Sequence, residues 1–494
     1  MKRIIYISLV LIFCQMHLYS QKETSWWYFG YKSGLNFNSL SNVTASDGTV
    51  VSNMPEAIVG PLSTREGCFT VSTYDGQLLF SSDGSTVYDK NGNIMTNGTG
   101  LLGNFSATQS GIAIPKPGST TEYYIITVPA MASTDGLRYS VVDISKNGGL
   151  GEITSKNKII KSGSVFENIA AVPNSNGKDY WLIHRTLQTF YVWAITSSGV
   201  ASTPTSTITN TLINTHSPIG GIRPQGEIIL SSDYKRIASV NWEGQQIITA
   251  IFDPITGVMS DSKVLKTSAN LYGGTFSPNN EYLYLGTGFY NYGQLYVGLW
   301  NDIRTGNPIT LLSDKFSNVK AGLDNRLYGI QVYSSGANEI PSKNIGVVLN
   351  PDTGGTDIKY FPNYLKNTAA LGLPSFAAGF IRIIPKEQPF ACAAHSRTYS
   401  IEVDLSGGNA PDKLEWYFGD GTPKVVETVS SSQSKYSQEH LYNNAGNYTI
   451  TITPYKADGT KLDNISMTAN IVYCTLKTNL MTRSELLNSK QQQK

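Results

Sequence analysis

The chain has 494 residues, of which 38 are basic, 36 acidic and only 15% charged in all, with 46 glycines and 29 tyrosines. So sparse and balanced a charge leaves no electrostatic footprint for nucleic acid or for an anionic membrane surface. Abundant Gly, Ser, Thr, Asn and Tyr, with almost no helix-forming Glu-Lys-Ala-Leu runs, excludes a helical protein and points to an all-β one.

At the start, Lys2 and Arg3 precede an apolar run from Ile4 to Phe13, and Leu18-Tyr19-Ser20 puts a small residue before Gln21. This is the pattern of a secretory signal peptide over residues 1–20, too short for a membrane anchor. Its loss removes two basic residues, so 36 basic and 36 acidic residues remain and the net charge falls to zero. Cys14 follows Phe13, where lipidation needs a small residue, so no lipid anchor is expected. No other segment is apolar for long enough to span a bilayer. The expected location is periplasmic, outer-membrane-associated, or secreted to the cell surface.

Residues 21–386 carry a diverged repeat. Its first half is a polar turn leading into a strand: Tyr74-Asp75-Gly76-Gln77-Leu78-Leu79-Phe80, Asn176-Gly177-Lys178-Asp179-Tyr180-Trp181, Ser232-Asp233-Tyr234-Lys235-Arg236-Ile237 and Ser277-Pro278-Asn279-Asn280-Glu281-Tyr282. Its second half reads as a strand entering a turn, as in Phe252-Asp253-Pro254-Ile255-Thr256-Gly257, Trp300-Asn301-Asp302-Ile303-Arg304-Thr305-Gly306 and Leu349-Asn350-Pro351-Asp352-Thr353-Gly354. The copies recur at about 45–60 residues, the spacing of four-stranded propeller blades. Six blades can be counted, and a seventh assembles from Ser375–Ile384 together with Trp26–Phe37, which favours seven and leaves six or eight open. Joining the two ends in one blade would close the ring and hide its edges. Trp181, Trp193, Trp242 and Trp300 are read as packing residues between blades.

Trp27-Tyr28-Phe29-Gly30, Glu66-Gly67-Cys68, Leu78-Leu79-Phe80-Ser81-Ser82-Asp83-Gly84, Asn97-Gly98-Thr99-Gly100-Leu101-Leu102-Gly103 and Gly148-Gly149-Leu150-Gly151 occur in order. This series resembles the propeller-plus-PKD surface proteins associated with gliding motility and type IX secretion. Members of that family often end in a sorting domain after several PKD repeats, whereas here a polar tail over residues 475–494 follows.

Residues 387–474 carry Trp416-Tyr417-Phe418-Gly419-Asp420-Gly421, answered by His440-Leu441-Tyr442 and Gly446-Asn447-Tyr448. Leu414, Trp416 and Phe418 alternate with polar positions, as do Tyr448, Ile450 and Ile452, the period of strands with one buried face. Asp420-Gly421 supplies a positive-φ turn. The signature resembles that of the PKD domain, which implies an immunoglobulin-like β-sandwich. Cys392 and Cys474 bracket it, and the usual separation of a sandwich's two ends argues against a disulfide between them. Cys68 reads as a small buried hydrophobe.

The usual catalytic motifs are missing: no H-E-x-x-H, C-x-x-C, P-loop or G-x-S-x-G occurs. His184, His216, His395 and His440 have no metal-ligand spacing, and Asp89-Lys90-Asn91-Gly92 lacks the distal glutamate of a calcium loop. No cofactor or metal is expected. A propeller can still bring distant carboxylates together, and Glu66, Asp143 and Glu167 are the first to examine for a glycoside hydrolase or lyase. Phe289, Tyr290 and Tyr292 form a glycine-flanked aromatic loop suited to stacking on a sugar or gripping a peptide. The sequence on its own favours a non-catalytic binding or adhesion protein, its propeller recognising a glycan or envelope protein and its PKD domain acting as a spacer. A polysaccharide-acting enzyme and a structural part of a secretion or motility complex are the alternatives.

Overall fold

The computed structural model describes residues 22–73, 76–176, 178–215, 225–288, 293–316, 318–335, 338–377, 383–385, 391–403, 411–430, 433, 435–462 and 464–472. It is all-β and propeller-like. Between Trp26 and Phe361, seven antiparallel sheets of three to five strands follow one another along the chain, with a separate two-stranded hairpin inserted in the last. Their leading strands are Trp26–Phe29, Phe69–Ser72, Gly111–Pro115, Ala170–Pro173, Ile228–Leu230, Leu271–Phe276 and Val319–Ala321. Neighbouring leading strands touch from each sheet to the next, so the sheets are arranged radially about a common hub. Leading strands are covered by neighbouring sheets: Phe69–Ser72 and Ala170–Pro173 are buried at every position, with Thr70 and Ser72 among the buried residues.

The two ends of this region meet. Trp27, Phe37 and Leu35 share one core with Tyr328, Val347 and Phe361. Tyr31 N donates to Thr368 O at 3.0 Å, and the Phe376 ring lies 6.1 Å from that of Trp27. Ser375 N donates to Cys68 O at 2.8 Å, which carries the segment after Ala369 down the hub beside the second sheet. Gly372 is required in that passage: a Cβ there would stand 1.4 Å from Glu66 O.

The repeated turns have a common construction. In both Ser231–Arg236 and Ser277–Tyr282 the first serine's N–H donates to the sixth residue's carbonyl, and that residue's N–H donates to the serine Oγ. Tyr234 and Asn280 occupy the same place with φ of 60° and 61°. The Trp300–Gly306 copy departs from the expected strand: Trp300–Thr305 is a short helix ended by left-handed Gly306 at φ 95°. A glycine at that position satisfies the last carbonyls of a helical turn. The tryptophans pack between sheets. Trp181 Nε1 donates to Pro254 O at 2.8 Å across a sheet boundary, and Trp300 lies 5.3 Å from Phe276.

From Ile383 onward two sheets face each other, so Ile383–Pro385 pairs with Ser396–Val403 in this unit and not with Trp26–Phe37 as the sequence suggested. Ile383–Pro385, Ser396–Val403 and Lys435–Leu441 form one; Ala391–Cys392, Ile465–Val472, Gly446–Tyr455, Lys413–Tyr417 and Val425–Thr428 form the other, in that order. Alternation places Tyr399, Ile401, Leu414, Trp416, Phe418, Ile450 and Ile452 in one buried cluster. Here the argument that the sandwich's ends stand apart is corrected. Ala391–Cys392 pairs in parallel with the end of Ile465–Val472, and Cys392 lies opposite Val472. A short leading strand that crosses to the second sheet brings the ends side by side. Cys474 lies outside the described residues. Among the described residues no helix is long and apolar enough to cross a membrane.

Candidate functional site

The leading strands of the second to seventh sheets bring the residues just before or within them to one end of the hub. Glu66 stands three residues ahead of Phe69, Thr108 three ahead of Gly111, and Glu167 three ahead of Ala170. Glu227 and Asn318 immediately precede Ile228 and Val319, and Tyr272 is second in Leu271–Phe276. All six are almost wholly buried. Burial of so many polar groups is tolerated when they satisfy one another, and here most do, Asn318 Oδ1 being the exception among the six. Tyr272 Oη donates to Glu66 Oε2 at 2.6 Å and Ser106 Oγ to Glu66 Oε1 at 2.9 Å. Thr108 donates to Glu167 Oε2 from both N and Oγ1 at 3.0 Å, and Met131 N donates to Glu167 Oε1 at 2.8 Å. Glu227 Oε2 accepts from Lys320 Nζ at 2.6 Å and Gly274 N at 3.1 Å.

This layer shifts proton affinities. Loss of water around Glu66, added to the nearby negative charge of Glu167, pushes its carboxyl up to about 8 despite the bonds from Tyr272 and Ser106. Glu167 is also raised by burial, against three stabilising hydrogen bonds. Tyr272 is pushed upward by burial and by its contact with Glu66. The hub therefore holds a proton near neutral pH in a place where an ordinary carboxyl would have lost it. Of the three carboxylates singled out in the sequence, Glu66 and Glu167 are brought together. Asp143 is not: it ends the strand Leu137–Asp143 and accepts Ser145 N and Oγ in a turn, which lowers its proton affinity. Thr108, Glu227, Tyr272 and Lys320 were missed. The signal that could have found them is position, since each lies at or next to a leading strand's start.

A cleft of about 350 Å³ lies in the hub beside this layer, lined by residues adjacent in sequence to the layer and not by the six themselves. Its inner end is formed by Gln109, Gly274 and Lys320, and its mouth by Ser231, Ser277 and Asn325 in the repeated turns. Gln109 directly follows Thr108, so the cleft ends one residue from the group that holds the Glu167 carboxylate.

The remaining sequence-predicted positions lie elsewhere. Phe289, Tyr290 and Tyr292 lie outside the described residues. In the sandwich, Trp416 Nε1 donates to Glu427 Oε2 at 3.2 Å. His440 Nε2 and Asp420 Oδ2 are 2.8 Å apart, and the imidazole stacks on Phe418 at 3.9 Å. Tyr442 Oη donates to Phe418 O at 2.8 Å, and Tyr448 stacks on Tyr442 at 4.3 Å. Gly419 has φ 78°, and a Cβ there would meet Thr449 O at 2.5 Å; Gly421 has φ 85° and Gly446 opens the strand Gly446–Tyr455. Asp420 Oδ1 accepts Thr422 N and Oγ1, a turn arrangement. These residues hold one corner of the sandwich together.

No family model matches the chain, and no curated protein matches it in sequence. Among solved structures it is similar to a Bacteroides uniformis protein assigned as a 6-phosphogluconolactonase, at 12% identity and TM-score 0.36, covering 83% of this chain and 99% of that one. A Bacteroides fragilis protein of the same assignment has 13% identity and TM-score 0.41, covering 71% and 98%. The periplasmic gluconolactonase of Pseudomonas aeruginosa has 10% identity and TM-score 0.35, covering 70% and 96%. The expectation of a non-catalytic binding protein is corrected here. The three similar structures above are named as lactonases, and in this chain's own hub Glu66 and Glu167 are carboxyls of raised proton affinity. At such identities and scores the chemistry has to be argued from this chain's own residues.

Proposed function

We propose that the chain is an enzyme, a hydrolase working by general acid–base catalysis with Glu66 and Glu167 as its proton-transfer groups. One observation carries this reading: Glu66 is held protonated to about 8, next to Glu167 and 2.6 Å from Tyr272. Buried carboxyls that keep their protons toward neutral pH are a usual means of running acid and base steps. In the reaction, Glu167 accepts a proton from water as the water oxygen bonds to the substrate's electrophilic carbon. The bond from that carbon to the leaving oxygen breaks, and Glu66 returns a proton to that oxygen. Tyr272 and Ser106 position the Glu66 carboxyl. A cyclic ester, the substrate type named for the lactonases above, is the first to try.

The reading extends to the architecture. The seven sheets are taken as seven blades, closed where residues 371–377 run beside Trp26–Phe29, and the C-terminal unit as a PKD-type sandwich. Contacts among Trp416, Phe418, His440 and Tyr442 support the latter. Export is proposed from residues 1–20 and from the resemblance to propeller-plus-PKD surface proteins, and cell fractionation tests it.

Purified protein is assayed on lactones, aryl esters and aryl glycosides. Turnover of one class, reduced roughly 100-fold or more by Glu66→Gln and by Glu167→Gln, is the expected result. Turnover indifferent to both substitutions, or none on any class by folded protein, contradicts the proposal.

A further inference from the structure

The cleft has a composition of its own. Its inner end carries one cation, Lys320, and that charge is already matched: Nζ lies 2.6 Å from Glu227 Oε2. Glu227 is itself almost fully buried, so the pair is neutral and fixed. An ammonium has three protons; one goes to Glu227 and a second points at Gly274 O at 3.5 Å. One N–H is therefore left for an oxygen in the cleft. Gln109 is fixed similarly. Its Oε1 accepts Ile169 N at 2.9 Å and Ile228 N at 3.0 Å, and Nε2 reaches Ile228 O at 3.4 Å, which leaves a second amide hydrogen.

The walls and mouth complete the description. Phe276 and Phe376 supply aromatic surface along the wall. At the mouth Asn325 is exposed, while the Ser231 and Ser277 hydroxyls are buried and bonded within their own turns. An aromatic wall with fixed ammonium and amide donors, and no unmatched charge, suits an uncharged ring bearing several hydroxyls.

We infer that this axial cleft is a binding site for a neutral sugar-type ring, which enters from the turn-bearing face and presents an oxygen to Lys320 and Gln109. The inference rests on the hydrolase reading above, and it names that reading's substrate class and route of entry. A sugar carrying a carboxylate or phosphate is disfavoured, because its charge would be desolvated beside a cation already paired with Glu227. Ala321 lies exposed on the cleft wall at the end of Val319–Ala321, so a large side chain there fills the cleft without disturbing the core.

The test is saturation-transfer NMR on the full chain with glucose, cellobiose, glucuronate and glucose 6-phosphate. Glucose or cellobiose is expected to bind, with at least tenfold weaker binding of both charged sugars. Ala321→Trp, checked for native circular dichroism, is expected to weaken binding at least tenfold, as is the charge-conserving double variant Lys320→Met/Glu227→Gln. Failure of both neutral sugars to bind, preference for a charged one, or binding untouched by Ala321→Trp overturns the inference. The two readings separate cleanly: Glu66-dependent turnover that survives Ala321→Trp removes only the cleft, whereas neutral-sugar binding without any turnover removes only the hydrolase.

Discussion

Tyr272 and Glu66 lie 206 positions apart in the chain and share a 2.6 Å hydrogen bond at the centre of the ring. Glu66 comes from the approach to the second sheet and Tyr272 from the leading strand of the sixth, so the bond forms only when the sheets close around the hub. Tyr272→Phe removes the donor and leaves a buried acceptor short of a partner, at a cost of about 1–3 kcal/mol. Chemical denaturation should show this as a lower midpoint with an unchanged slope; a midpoint equal to that of the unsubstituted protein would mean the bond contributes nothing net.

Glu66 makes stability depend on pH in a defined direction. Its carboxyl is raised from 4.5 to about 8, so the folded state holds a proton that the unfolded chain releases. The contribution is complete below 4.5 and is lost as pH rises through about 8. Taken alone, that shift corresponds to on the order of 5 kcal/mol. Glu66→Gln removes the titration, so the melting-temperature difference should move in the variant's favour as pH rises from 4.5 to about 8. Parallel curves over that range would show that Glu66 ionises normally.

His184 works in the opposite direction. It is wholly buried, bonded through Nδ1 to Asn168 O at 2.7 Å and through Nε2 to Thr186 Oγ1 at 2.8 Å. Desolvation depresses it from 6.5 to about 3, so its stabilising contribution is complete above 6.5 and is lost as pH falls through about 3. His184→Gln should flatten the acid limb of the melting-temperature profile. An unchanged acid limb would assign that loss to other groups.

The sandwich has its own core, in which Trp416 is fully buried beside Phe418. Trp416→Ala should destabilise that unit by about 3–5 kcal/mol. Calorimetry should show one transition moving down while the propeller's stays in place; a shift of both together would mean the units unfold as one.

The fold was the more legible part of the sequence. Alternation at Leu414, Trp416 and Phe418, and the polar turns at Ser231 and Ser277, follow from local rules of side-chain direction and turn chemistry. Trp300–Thr305 was misread because an apolar residue before Asp and Gly suits a strand end and a capped helical turn equally well. The hub was half visible. Glu66 and Glu167 were two of the three carboxylates picked out for examination, but Tyr272, Glu227 and Lys320 look like ordinary strand residues. Their role comes from ring closure, which no local pattern encodes. The adhesive reading failed for the same reason: catalytic motifs are contiguous, while this carboxyl layer is assembled from six separate approaches to the hub.

The pH dependence of kcat/KM for the substrate class that is turned over, in the unsubstituted protein and in Glu66→Gln, tests the central claim most directly. The account predicts a bell whose alkaline limb falls at about 8, where Glu66 loses its proton, and a Glu66→Gln profile that is at least roughly 100-fold lower and lacks that limb. An alkaline limb that persists in Glu66→Gln at undiminished rate would contradict it.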